Sequence, residues 1–184
     1  MAIRSTIYKA ELSIADIERN YYADHQLTVA RHPSETEERL MVRLVAFAMH
    51  AHEALALGGD ISTDDEPALW RRALTGDIEQ WIEVGLPDER LLRKACGRAD
   101  EVVALTYGAR KADLWWTDNA NALGRQRNLT VWNLTAEDCE SLVSLCQRSM
   151  RLGMTIQDGQ ILIASGAHSI EISPVLLQKA AGRK

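Results

Sequence analysis

The chain has 184 residues, 46% of them hydrophobic, and 21 Lys and Arg against 26 Asp and Glu give a net charge of −5. That is enough apolar side chain for one substantial core. The acidic balance excludes nucleic-acid binding through overall charge, which needs an excess of Lys and Arg to neutralise phosphates.

Residues Ile7 to Ser13 and Gln26 to Arg31 alternate in polarity and predict two strands joined by a longer connection. Ser34-Glu35-Thr36-Glu37 has the form of a capping box, with Ser34 accepting from the Glu37 backbone N–H and the Glu37 carboxylate reaching back. It opens a long predicted helix. Leu40, Leu44, Phe47, Ala51 and Leu55 form the apolar stripe, Met41, Val42, Val45 and Ala48 widen it, and Gly58-Gly59 stops it. A stripe that wide predicts a helix covered over most of its surface. Glu35 faces Arg39 one turn on. Glu38 stands on the apolar side before Met41 and Val42, where it either leans toward the next element or serves as a first-turn glutamate favoured by the helix dipole.

Asp64-Asp65-Glu66-Pro67-Ala68-Leu69-Trp70 and, after Thr75-Gly76-Asp77, Ile78 to Gly85 predict a β-hairpin. In its second strand Ile78, Ile82 and Val84 share one face, with Gln80 the polar exception, and Glu79, Trp81 and Glu83 share the other; only the first face is expected to be core. A loop from Leu74 to Asp77 sets Leu69 against Ile82, Trp70 against Trp81 and Ala68 against Glu83, so both apolar pairs match. This register puts Glu66 on the face of Ala68 and Glu83, one pleat away, and two carboxylates converge at the open end of the ribbon. Carboxylates held together need a divalent cation or a raised pKa. The plain alternative is an amphipathic hairpin whose polar face meets water.

Pro87-Asp88 starts a short helix with Leu91, Leu92, Ala95 and Cys96 inward, ended by Gly97. Val102 to Tyr107 reads as strand, Lys111 to Leu123 as helix and Leu129 to Leu134 as strand, a crossover unit that requires part of the sheet to be parallel. Thr135 caps another helix carrying Leu142, Leu145 and Cys146. Met154 to Gln157, Ile161 to Ala164 and Ser169 to Ile172 form an antiparallel meander, and the tail from Lys179 is expected to be loose. The fold class is α/β (α+β), one domain over residues 1–184 with a mixed sheet. Cys96, Cys139 and Cys146 form no CxxC pair and are expected as reduced thiols with packing roles. No apolar run spans a bilayer and Met1 to Thr6 lacks the apolar stretch of an export signal, so the expected setting is cytoplasmic.

Four landmarks, Arg31-His32-Pro33-Ser34-Glu35, Asp64-Asp65-Glu66-Pro67, Trp81-Ile82-Glu83-Val84-Gly85-Leu86-Pro87 and Lys94-Ala95, resemble those of the YaeQ family. The order of helix with glutamate, acidic-Pro hairpin, helix and strand resembles the PD-(D/E)XK nuclease-like superfamily. The resemblance implies a restriction-endonuclease-like core with additional antiparallel β-strands. Carried across, the strand-borne glutamate falls on Glu83 and the helix glutamate on Glu38, with Glu35 as its rival. The Asp after Pro falls on Ala68, which has no ligating atom, and the Lys two residues past the glutamate falls on Gly85. Glu66, one pleat earlier on a longer arm, offsets the first loss. Lys94 offsets the second, since six helical residues carry it roughly 9 Å back along the strand.

The activity so implied is a Mg²⁺-dependent nuclease: Glu66 and Glu83 hold the cation, Lys94 positions or deprotonates the attacking water, and Glu38 stands behind them. The competing reading is an inactive nuclease-fold scaffold that binds a protein or nucleic acid, with Lys94 and Glu83 paired to restrain a helix on a sheet. The expected partners are nucleic acid, through a local basic cleft, or another protein, with no membrane, for a monomer or weak dimer.

Overall fold

Alternating polarity at the start of the chain runs further than the two short predicted strands. In the computed structural model, which describes residues 4–59 and 65–182, β1 (Thr6–Asp16) and β2 (Tyr21–Arg31) are antiparallel strands paired from Thr6↔Arg31 to Asp16↔Tyr21. The expected longer connection is instead a tight turn over residues 17–20, possible because Asn20 takes a positive φ of 52°. β1 also pairs in parallel with β8 (Ser149–Gln157), which continues through β9 (Gln160–Ser165) to β10 (His168–Ile172) as the expected meander. The strand order of this sheet is β10-β9-β8-β1-β2.

The second sheet has the order β11-β7-β6-β5-β4-β3. Its middle strands, β5 (Ile78–Val84), β6 (Ala99–Thr106) and β7 (Leu129–Asn133), are parallel and are joined through α2 (Glu89–Arg98) and α3 (Arg110–Leu123). Antiparallel strands finish both edges: β4 (Leu69–Arg72) and β3 (Leu55–Leu57) on one side, β11 (Val175–Gln178) on the other. β11 is a strand the sequence reading did not expect; it ends just before the tail from Lys179, whose described residues 179–182 form no strand, though Ala181 donates to the Arg127 carbonyl at 2.8 Å.

α1 (Glu37–Met49) and α4 (Ala136–Ser144) complete the fold, which is α+β with two mixed sheets. One core joins the inner face of the first sheet, α1, α4 and one face of the second sheet, through Leu12, Phe47, Leu142 and Ile82. A second core lies on the opposite face of the second sheet, where Trp81, Val102 and Val131 meet Leu92 and Leu123 of α2 and α3. Sandwiched between sheets, α1 is buried without a break from Leu40 to Ala48, as its broad apolar stripe predicts.

Two boundaries of α1 differ from expectation. Its N-cap is Thr36, whose side chain accepts from the Arg39 N–H, because Ser34 is tied instead to the His32 ring. Its last turn is Met49 rather than the residues before Gly58. Arg19, from the β1–β2 turn, donates to the carbonyls of Ala51 at 3.0 Å and Ala48 at 3.4 Å and satisfies the helix end there. Leu55, the last residue of the expected stripe, is buried on a strand because β4 offers an edge to pair with.

Candidate functional site

The hairpin of β4 and β5 has the expected register, Leu69↔Ile82 and Trp70↔Trp81, with a shift between Arg71 and Arg72 where the turn around Gly76 closes. The face expected to meet water does not. Trp81 is 1% exposed and Glu83 2%, since α2 and the crossover helices cover that face as well. Inside, the Trp81 indole N–H donates to Glu83 Oε1 at 2.8 Å, so a neutral donor fixes one oxygen of a buried carboxylate. The guanidinium of Arg98 lies 5.3 Å from the centre of the Trp81 ring, a cation over the same indole that donates to Glu83.

Arg98 in turn donates to Asp65 Oδ1 at 3.2 Å, and the Lys94 ammonium lies 3.6 Å from the same oxygen. Asp65, Lys94, Arg98, Trp81 and Glu83 are thus linked through successive contacts at the corner where α2 meets β5. The Lys94 side chain is half-exposed and its ion pair is with Asp65; the alternative in which Lys94 pairs with Glu83 is not what the contacts show. Asp64 lies outside the described residues.

Glu66 sits beside this corner, but not through the expected pleat. β4 begins only at Leu69, and Ala68 packs with Leu69 in the α1-side core, fully buried, so strict alternation does not reach back to Glu66. Glu66 Oε1 instead accepts from the Gly59 N–H at 2.9 Å. At that crossing Gly58 is required: a Cβ there would stand 1.9 Å from the Pro67 carbonyl oxygen.

Glu38 belongs to a different neighbourhood. It lies against Cys139 of α4 and near Tyr107, on the α1 side of the second sheet, and helps push the Cys139 thiol up to about 12, behind burial as the main cause. Its rival Glu35 is 5% exposed, with Oε1 accepting from Arg39 at 2.7 Å and Oε2 from Arg43 at 2.8 Å. Arg43, itself 1% exposed, also donates to the Ala30 carbonyl. Glu35 joins α1 to β2 and is spoken for.

Sequence reading missed a second polar cluster, although Gln80, the exception on the apolar face, marks it. Gln80 Nε2 lies 2.9 Å from Glu101 Oε2 and 3.2 Å from His50 Nδ1. A carboxylate only accepts, so the amide nitrogen faces Glu101 and its other hydrogen meets a lone pair on His50 Nδ1. His50 is the neutral Nε2–H tautomer, its pKa pushed down to about 4 by burial first, then by Arg19 and Arg71.

Among the described residues no group of three or more His, Cys, Asp and Glu side chains could hold a metal ion, and no helix is long and apolar enough to cross a membrane.

The sequence matches the family described as YaeQ protein over residues 1–174. It is 43% identical over 173 residues to the uncharacterized protein YaeQ of Escherichia coli K12, covering 94% of this chain and 96% of that one. The counterpart in Salmonella typhi is 42% identical over 172 residues, covering 94% and 95%. The crystal structure of a YaeQ protein from Xanthomonas axonopodis pv. citri superposes with a TM-score of 0.91 at 49% identity, covering 95% of this chain and 98% of that one. The one from Pseudomonas syringae gives 0.90 at 34% identity, covering 97% and 98%. At these identities, over nearly the whole length, the chain belongs to the YaeQ family.

Proposed function

We propose that this chain is a Mg²⁺-dependent phosphodiester hydrolase of the PD-(D/E)XK nuclease-like type, working at the corner of β5 and α2. Two features support the reading. The order α1, β3, β4–β5 hairpin, α2, β6 resembles that of the superfamily. The observation that carries it is the Trp81–Glu83 hydrogen bond: a buried carboxylate oriented by an indole, with two cationic side chains and a second acid gathered beside it.

Glu83 and Glu66 offer hard carboxylate oxygens, the donors Mg²⁺ takes, and that ion needs only one or two of them besides water. Held by these two side chains, Mg²⁺ would supply Lewis-acid polarisation of a phosphate and a more acidic bound water. The chain's own groups do the rest. Trp81 holds one Glu83 oxygen, which leaves the carboxylate few orientations. Lys94, half-exposed and shared with Asp65, turns to a phosphate oxygen and steadies developing charge. Glu38, across the sheet with Cys139, is given no contact with the cation. Arg93 and Arg90, exposed on α2, extend the basic wall along which a nucleic-acid backbone would lie.

A second reading, a nuclease-like scaffold that binds without cutting, is favoured by Ala68, which stands where the superfamily has its aspartate and is fully buried. Cleavage assays on plasmid, single-stranded DNA and RNA with Mg²⁺ or Mn²⁺ separate the two. Activity that Glu83→Ala and Lys94→Ala each abolish is expected. Wild type no faster than both variants overturns the hydrolase, and retention of nucleic acid without cleavage, indifferent to chelator, gives the scaffold.

A further inference from the structure

We propose that β2 is the docking edge for a second copy of this chain, the two strands pairing antiparallel about a two-fold axis to join the five-stranded sheets into one. The direction of each backbone group in β2 follows from its neighbour. Lys9 and Ile17 of β1 donate to β8, at Arg148 and Ile156, so the odd residues of β1 face β8 and the even ones face β2. The even residues Tyr8, Ala10, Leu12, Ile14 and Asp16 pair with Val29, Leu27, His25, Ala23 and Tyr21. The ladder to β1 therefore uses the odd residues of β2, and the even ones, Tyr22, Asp24, Gln26, Thr28 and Ala30, aim their N–H and C=O groups away from the sheet. Ala30 is partly accounted for, since Arg43 donates to its carbonyl. The other four form an open row at the sheet edge.

Of the devices that blunt such an edge, β2 carries one charge in its middle, Asp24, which the register below sets against Gln26. It is the last strand of its sheet, eleven residues long, with no register shift against β1. It contains neither Pro nor Lys, the residues that commonly discourage edge pairing. Its inner-face side chains Tyr21, Ala23, His25 and Leu27 are only half-buried, whereas their partners on β1 are buried. Another strand alongside completes their cover.

The register of the pair is determined. Outward residues must face outward residues, so the sequence numbers of opposed residues sum to an even number. A sum of 50 sets Tyr22 against Thr28 and Asp24 against Gln26 and uses every open group of those four residues on both copies. The neighbouring choices fail. A sum of 52 sets Tyr22 against Ala30, whose carbonyl Arg43 already occupies, and a sum of 48 brings Asp24 against itself and leaves Thr28 unpaired. Over the paired span from Tyr22 to Thr28 no like charges face each other in the favoured register. His25 lies opposite its own copy on the two-fold axis, Ala23 opposite Leu27, and the Gln26 amide can donate to the Asp24 carboxylate.

Sedimentation velocity and light scattering on the full chain, over a wide concentration range, test this. A concentration-dependent dimer is expected, tightened about tenfold by Q26K, which opposes Asp24 twice, and weakened about tenfold by Q26D, which sets carboxylates against it twice. Q26P removes an outward N–H while sparing the ladder to β1, and should be monomeric. Circular dichroism confirms that each variant is folded; the opposite signs of the two charge changes keep the test decisive if the proline variant is not. Amide exchange at Tyr22, Asp24, Gln26 and Thr28 should slow as concentration rises. A monomer at every concentration, or a dimer indifferent to both charge changes, overturns the proposal.

Discussion

Trp81 and Glu83 are two residues apart on one strand, and the indole N–H of the first donates to a carboxylate oxygen of the second at 2.8 Å with both side chains almost wholly buried. The strand pleat places them on the same face, and the indole is long enough to cover the gap that the pleat leaves. Replacing Trp81 with Phe keeps most of the apolar volume and deletes the donor. Leaving a buried acceptor without its donor costs about 1–3 kcal/mol, and Trp81→Phe should lose about that much, read as a lower urea midpoint at unchanged m.

The Glu35 carboxylate between Arg39 and Arg43 predicts an asymmetric pair of outcomes. Glu35→Leu removes the carboxylate that accepts from the Arg43 guanidinium, 1% exposed, and should cost about 3–5 kcal/mol. Glu35→Leu with Arg43→Met removes both charges, and chemical denaturation should show much of the loss recovered. Equal losses in the single and double variants would mean that packing, not charge, holds α1 to β2.

Ala68 predicts that the superfamily pattern cannot be restored by one substitution. The chain bends before β4 and turns this side chain into the apolar core shared with Leu69 and Ile82. Ala68→Asp buries a carboxylate in that apolar core, so at neutral pH stability should fall by more than about 3 kcal/mol, measured by denaturation, with no gain in cation affinity by calorimetry.

The parts of this fold legible in the sequence are those fixed locally. The Leu69↔Ile82 register follows from matching apolar faces, the Thr135 and Asp88 caps from the residue types that accept backbone N–H bonds, and the parallel β6–β7 pair from strand–helix–strand spacing. What escaped depends on partners distant in sequence. The end of α1 is decided by Arg19 from the first hairpin, and the parallel pairing of β1 with β8 joins segments more than a hundred residues apart. At the candidate site, Glu83 and Trp81 could be placed on one face by alternation. Arg98 and Asp65 could not, because their meeting requires α2 to fold back along β5.

His50 predicts a stability profile in pH. Its folded pKa, about 4, lies below the ordinary value of about 6.5, so between those values the unfolded chain takes a proton that the folded chain refuses. The contribution is complete above pH 6.5 and is lost as pH falls toward 4, an effect on the order of 3 kcal/mol. Burial is the first cause, with Arg19 and Arg71 adding to it and Asp16 opposing. His50→Asn should flatten that part of the profile, leaving the shallower slope of His25, whose pKa is lowered in the same direction, again chiefly by burial. An unchanged slope in the variant would place the titrating group elsewhere.

The three thiols should be nearly inert in the native protein. Burial raises Cys139 to about 12 and Cys96 and Cys146 to about 11, so at pH 8 only a very small fraction of each is thiolate, the form that reacts. Modification by an aromatic disulfide, followed by absorbance, should run at least about a hundredfold slower on the folded chain than on the chain in urea. Behind burial, Glu38 supplies the hydrogen bond and, with Asp138, the charge that raise the Cys139 thiol, and Glu38→Gln removes its negative charge from beside the thiol. That variant should label faster at Cys139 while Cys96 stays as slow as before, which separates the local effect of the carboxylate from a general loosening of the fold.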